Sequence, residues 1–246
     1  MRRYSIFIML TGIFLSLSGL IYFIHYLIFG DVHHIFIYMV GDLAFLPLEV
    51  FLVVIVVERI LTRREKHAML HKLNMVIGSF YSEVGTELLY KLLGCFETSR
   101  EIKQRLAVSQ NWTHIDFKEA VAYAHTIEDQ SYYLGIDLEK LRTFFIQKRS
   151  FLLALLENPN LLEHEHFTDL LWATFHLAEE LEARLSVRSL PEMDLEHIAG
   201  DIKRLYGRLA AEWVVYVEHL QSHYPFLFSL VVRTHPFQEH PSAVVT

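Results

Sequence analysis

The stretches IFIMLTGIFLSLSGLIYFIHYLIF, residues 6–29, and IFIYMVGDLAFLPLEVFLVVIVV, residues 35–57, decide the fold. The first carries no formal charge and the second only Asp42 and Glu49. A helix needs about 20 apolar residues to cross a hydrocarbon layer about 30 Å thick, and it satisfies its own backbone polar groups there. Both stretches therefore read as transmembrane helices. Gly30-Asp31-Val32-His33-His34 alone joins them, so they are expected side by side and antiparallel, as a hairpin. Arg2-Arg3 and the Ser16-Leu17-Ser18-Gly19 stretch imitate a cleaved leader. The apolar run continues through Leu20–Phe29, beyond the roughly 7–15 residues of a leader's apolar core, so retention as a span is expected.

Basic residues orient the hairpin. Arg2 and Arg3 precede it, Arg59, Arg63, Arg64, Lys66 and Lys72 follow it, and the loop holds no Lys or Arg. Positive flanks stay in the cytoplasm. The expectation is a multi-pass protein of a cell inner membrane, with both termini and the remaining chain cytoplasmic. Arg59, Arg63, Arg64 and Lys66 are then placed to meet anionic lipid headgroups.

Within the hairpin, Gly12, Ser16 and Gly19 lie four and three apart on one helix face, where small side chains allow close backbone approach. The second helix is the expected partner of that face, and another protomer is the alternative. Asp42 and Glu49 are two helical turns apart and share a face, with Pro47 between them expected to kink the helix or free a carbonyl near Leu43. Intramembrane carboxylates mark functional positions by default. They suit a proton or cation relay, a polar contact with another subunit, or a neutral acid bonded to a hydroxyl of the first helix.

Hydrophobic residues make up 52% of the 246 and mean hydropathy is +0.27, but the excess is concentrated before residue 58. Of the net charge of −7, residues 1–57 hold −1 and residues 58–72 hold +3, which leaves −9 for the remainder. Nucleic-acid binding needs a basic face, so nucleic acid is not an expected partner. The expected partners are the lipid bilayer and either a second copy or another membrane protein. With a single cysteine, Cys95, neither an intramolecular disulfide nor a Cys-rich zinc site can form.

Residues 58–72 read as a basic juxtamembrane helix and residues 73–246 as a helical domain. Apolar residues recur there at three- and four-residue spacing. Helices are expected over about 73–96, 99–109, 117–128, 137–157, 163–186 and 194–223, with Asn158-Pro159-Asn160 and Leu190-Pro191-Glu192 as breaks. Asp116 with Glu119 reads as a capping box opening the third of these, and Asp137 as the cap of the fourth. The fold class is all-α: a transmembrane hairpin followed by a bundle of about five or six helices. The apolar segment 224–237 is expected to dock into a groove of the bundle or to lie at the membrane interface.

No phosphate loop, nucleophile elbow or His-Glu-x-x-His pattern is present, and no catalytic residue is assigned. What recurs is a His with a carboxylate four residues on, at His125/Asp129, His176/Glu180 and His197/Asp201, besides Glu163/His166. Each such pair shares a helix face. No cofactor is predicted outright. If a divalent metal binds, His176, Glu180, His197 and Asp201, on the two longest helices of the domain, are its expected ligands.

The runs Gly41–Val50, Lys72–Gly78, Asp169–Leu177 and Tyr224–Leu230, taken together, make the chain resemble a group of uncharacterised prokaryotic membrane proteins. Those have the same plan of hairpin and helical domain, and the resemblance runs over nearly the full length. It implies topology and a prokaryotic inner membrane, and no activity. The expected role is a non-enzymatic, membrane-anchored interaction or sensing module. The alternatives are a metal-binding enzyme on the bundle and an oligomeric ion or proton pathway through Asp42 and Glu49.

Overall fold

The computed structural model describes residues 2–130, 132, 135–158, 161 and 164–244, with side chains described outside 2–8 and 63–72. The chain divides into two units, Met1–Lys66 and His67–Thr246. Among the described residues there is no strand, and one isolated antiparallel bridge joins Phe96 to Tyr132.

In the first unit α1 spans Arg2–Phe29 and α2 starts at Val32. The turn needs glycine: Gly30 has φ +64°, in the left-handed region, and its N–H donates to the Tyr26 carbonyl at 2.9 Å. Asp31 Oδ1 then accepts from the His33 N–H at 2.9 Å and caps α2. Rings fill the space beside the turn, with His25–Phe29 and His34–Tyr38 centroids each 4.7 Å apart. The helices meet at this end and not along their lengths. A Cβ at Gly12, Gly19 or Gly41 would meet nothing within 4 Å. The expected packing of the Gly12–Ser16–Gly19 face on α2 is therefore not found, and that face is open in the single chain.

The expected helices 35–57, 58–72 and the start of 73–96 are one element, α2, which runs to Phe80 and passes through Pro47 without ending. A π-helical turn, Tyr81–Gly85, follows and leads into α3, Thr86–Leu93. The extra residue of a π turn is accommodated by Gly85. A Cβ there would lie 2.5 Å from the Tyr81 ring and 2.9 Å from that of Phe80, both of which are buried.

The second unit continues with α4 (Ser99–Leu106), α5 (His114–Thr126, ending in a 3-10 turn, Ile127–Asp129), α6 (Leu138–Leu156), α7 (Glu165–Ala183), α8 (Glu192–His223) and α9 (Pro225–Thr234). Asp137 caps α6 as expected, its Oδ1 accepting from the Glu139 and Lys140 N–H groups at 3.1 Å each. The box opening α5 sits three residues earlier than expected. Thr113 is the N-cap, and Asp116 Oδ2 accepts from its N–H at 2.6 Å and its hydroxyl at 2.7 Å. Three residues separate Thr113 from Asp116 just as they separate Asp116 from Glu119, and the apolar pattern alone does not choose between them. The Asn158-Pro159-Asn160 break and the Glu163/His166 pair fall partly outside the described residues.

α8 is the organising element. It packs against α5, α7, α9 and α3, and Leu205, Tyr206, Leu209, Ala210, Val214 and Val217 are fully buried. α5 comes closest at Gly207, where a Cβ would sit 3.3 Å from the Ala124 carbonyl oxygen. The segment 224–237 supplies α9, a helix beyond the expected set. Phe228, Val232 and Phe237 face inward, while Phe226 is 71% exposed. His235 pins its end: its Nε2 lies 3.3 Å from the Val108 carbonyl, and its Nδ1 accepts from the Phe237 N–H at 3.2 Å.

Candidate functional site

The sequence nominated residues on both units. On α2, Asp42 and Glu49 are exposed, as are Pro47, Ser16 on α1, and Arg59. Among the described residues neither carboxylate has a hydrogen-bond or ion-pair partner, so the hydroxyl contact with the first helix considered for them is absent. The side chains of Arg63, Arg64 and Lys66 lie outside the described ones.

Among the described residues, the α7–α8 pair brings a cluster of ionisable groups together. α7 turns Leu170, Thr174, Leu177 and Leu181 into the core, and α8 turns in Ile198, Ile202 and Leu205. His176 and Glu180, one turn apart on α7, flank the α7 stripe. His197 and Asp201, one turn apart, flank that of α8. The helices run antiparallel, so higher numbers on α7 meet lower numbers on α8. His176 meets Asp201, Glu180 meets His197, and Arg184 meets Asp194.

His176 Nε2 lies 3.4 Å from Asp201 Oδ2, His197 Nε2 lies 3.5 Å from the same oxygen, and His197 Nε2 lies 3.7 Å from Glu180 Oε2. Asp201 is only 5% exposed, and its Oδ2 has no hydrogen-bond partner. The other oxygen, Oδ1, accepts from Arg204 Nη1 at 2.8 Å. Arg184 reaches Glu180 Oε2 at 2.7 Å and the Glu180 carbonyl, and holds Asp194 bidentately at 2.5 and 2.9 Å. The hydrogen bond from Arg184, opposed by desolvation, holds the Glu180 carboxyl below the usual carboxylate range; Arg184 does the same for Asp194. These carboxylates are therefore anionic at neutral pH, with imidazole nitrogens facing them. All four nominated ligands are thus neighbours, and the arrangement offers two nitrogen and two oxygen donors.

The other nominated pair behaves differently. His125 lies in the last turn of α5 and Asp129 in the 3-10 turn, and neither is among the residues paired in this cluster, although Glu128 beside Asp129 lies 3.8 Å from Arg204. His125 instead lines a cavity of about 280 Å³ with Glu128, His166, Asp169, Arg208 and Glu212. Glu212 was missed. It is 8% exposed, and burial pushes its carboxyl up to about 7, against a smaller lowering by His166. Its signal was legible: the charge interrupts the apolar run Leu209-Ala210-Ala211-Glu212-Trp213-Val214. Arg184 and Arg204 were missed too, although Arg184 stands four residues after Glu180 and Arg204 three after Asp201, spacings legible in the sequence; the Arg184–Asp194 contact depends on the neighbouring helix. Cys95 is buried, and burial raises its thiol.

Comparison with known proteins fits this two-part layout. Residues 2–61 match the family described as MJ1433, N-terminal helical domain, and residues 69–233 the family described as uncharacterized protein MJ1433, C-terminal helical domain. A protein described as uncharacterized protein MJ1433, from Methanocaldococcus jannaschii, is 44% identical over 236 residues, 96% of this chain and 94% of that protein. No solved structure matches. The resemblance drawn from the sequence therefore resolves to a definite group, and the chain belongs to the MJ1433 family, an N-terminal pair of apolar helices followed by a helical domain.

Proposed function

We propose that this protein is a non-enzymatic, membrane-anchored helical module. Its hairpin crosses a cell membrane twice, its termini and helical domain lie in the cytoplasm, and the hairpin assembles with a second copy. One observation carries the reading. Met9–Phe29 and Val32–Thr62 are long and apolar enough to span, and none of either is buried inside the structure. A core helix of a soluble protein would be covered, and a cleaved leader would account for α1 alone. An apolar surface of this extent in water invites aggregation.

The assembly follows from Asp42 and Glu49. The sixteen Leu, Ile, Phe and Val residues of 35–57 favour insertion by roughly 5–10 kcal/mol, and two ionised carboxylates oppose it by roughly 5–7 kcal/mol. Insertion of a lone α2 is thus close to break-even until those groups are neutralised or paired. The open Gly12–Ser16–Gly19 face and the unpaired carboxylates favour a second hairpin as the partner over an intramolecular contact.

Topology is tested by cysteine labelling in intact cells, since the native Cys95 is buried. A cysteine placed at exposed His33 should react with an impermeant maleimide. One placed at exposed Arg188 should react only after permeabilisation. Extraction of the protein by alkaline carbonate, or the reverse labelling pattern, would overturn the reading.

A further inference from the structure

We propose that the α7–α8 face of the helical domain binds one divalent transition-metal ion of the zinc class, through the imidazole Nε2 atoms of His176 and His197 and carboxylate oxygens of Asp201 and Glu180. The site rests on the domain alone and does not depend on the membrane reading.

The first support is the spacing of the donors. The ligand atoms of His176, Glu180 and His197 lie within 4.8 Å of one another, and the closest pairs across the four residues are 3.4, 3.5 and 3.7 Å apart. A tetrahedral ion with bonds of about 2.0–2.1 Å needs donor–donor edges of about 3.3–3.4 Å. The spacing of His176, Glu180 and His197 therefore fits an ion between them with small side-chain movements, and Asp201 Oδ2, close to both imidazoles, is the fourth donor to be drawn in.

The second, independent support is Asp201. Its carboxylate is nineteen-twentieths buried, and Oδ2 has no hydrogen bond although two imidazole nitrogens face it. Direct hydrogen bonds would draw these atoms to about 2.7–3.0 Å, and a buried acceptor left without a hydrogen bond is costly. A cation shared by Oδ2 and both nitrogens removes that cost.

The chemistry selects the ion. Two imidazoles and two carboxylates suit zinc, cobalt or ferrous iron, whereas calcium and magnesium prefer all-oxygen sets. Arg204 on Asp201 Oδ1 and Arg184 on Glu180 Oε2 fix both carboxylates from outside, as supporting residues around metal sites do. The histidine side chains are 48% and 53% exposed, so the ion enters without opening the core. Four protein ligands leave no open position for substrate. The site would clamp α7 to α8 and report metal availability, in keeping with a sensing module.

The test uses the full chain in detergent, stripped with a chelator and titrated with zinc or cobalt alone. One equivalent should bind, cobalt should give the intense visible spectrum of a tetrahedral site, and zinc about 100-fold above Kd should raise Tm by about 5–10 °C. His176→Gln and His197→Gln, at exposed positions that leave metal-free Tm unchanged, should each weaken binding at least 10-fold. Asp201→Asn should do the same, read only if its circular dichroism matches the parent. His33→Gln/His34→Gln and His125→Gln should leave binding unaltered. No stoichiometric binding, or binding that survives both single histidine changes on α7 and α8, would overturn the proposal.

Discussion

Two buried ionisable side chains on the helical domain titrate in opposite senses. Burial holds His235 down to about 4, against a weaker raising contact with the Val108 carbonyl. An unfolded chain would protonate it near 6.5, so as pH falls from 6.5 towards 4 the unfolded state takes up a proton that the folded state refuses. Stability is lost in that window, by about 3 kcal/mol in all. Glu212 is the converse. It holds its proton up to about 7 where the unfolded chain loses it near 4.5, so stability is lost as pH rises through that window, by a similar amount. Between pH 4.5 and 6.5 the two slopes oppose. Chemical denaturation from pH 4.5 to 7.5 should therefore show Glu212→Gln gaining on the parent as pH rises, and His235→Asn gaining as pH falls. Parallel profiles for a variant and the parent would show that the group is not held as described. At the same scale, the two-turn separation of Asp42 and Glu49 and the i, i+4 pairing of His with carboxylate were legible in sequence, because each concerns one helix. The burial of Asp201 was not, since it depends on which side of α8 the next helix covers.

At the scale of elements, the π turn is the informative departure. The sequence predicts a helix over about 73–96 weakened by Gly78, Gly85 and Gly94. The structure uses two of these: a Cβ at Gly78 would lie 2.9 Å from the Tyr216 hydroxyl, and at Gly85 Tyr81 and Phe80 pack tightly on the backbone. Gly85→Ala should lower domain stability by about 1–3 kcal/mol, although alanine is the better residue in an ordinary helix. Gly94→Ala, whose added Cβ meets nothing within 4 Å, should cost less than 1 kcal/mol by the same denaturation measurement. If the two glycines respond alike, the π turn is not fixed by steric contact. Helix periodicity could not announce this turn, because the buried residues Leu73, Ile77, Phe80, Tyr81, Val84, Leu88 and Leu92 keep three- and four-residue spacing straight through it. The missed helix α9 has a related cause. Pro225 opens it as a first-turn proline, but a ten-residue segment this apolar has no polar face to mark its period. The box at Thr113 and Asp116 shows the same limit, since spacing admits two frames and only packing of α5 on α8 selects one.

For the whole molecule, the hairpin's exposed acids set the expected behaviour. Asp42→Asn with Glu49→Gln should leave the protein in the membrane. On the proposed assembly with a second copy, it should also shift the protein towards monomer, read by light scattering in detergent and cross-linking in liposomes. Substituting one acid should give an intermediate effect if both serve one interface. Unchanged assembly in the double variant would remove the carboxylates from that role.

The sequence by itself determined the apolar hairpin, the all-helical class and most helix boundaries. Those follow from composition, periodicity and capping within about twenty residues of chain. It also named His176, Glu180, His197 and Asp201, because four-residue spacing on a helix is a local property. Only the tertiary structure decided that these four meet while His125 lines a cavity with Glu128, Arg208 and Glu212. The antiparallel register of α7 on α8 brings residue 176 to 201, 180 to 197 and 184 to 194. That register is fixed by how the apolar stripes Leu170–Leu181 and Ile198–Leu205 fit together, a fit between side chains of two helices that neither helix's own pattern encodes.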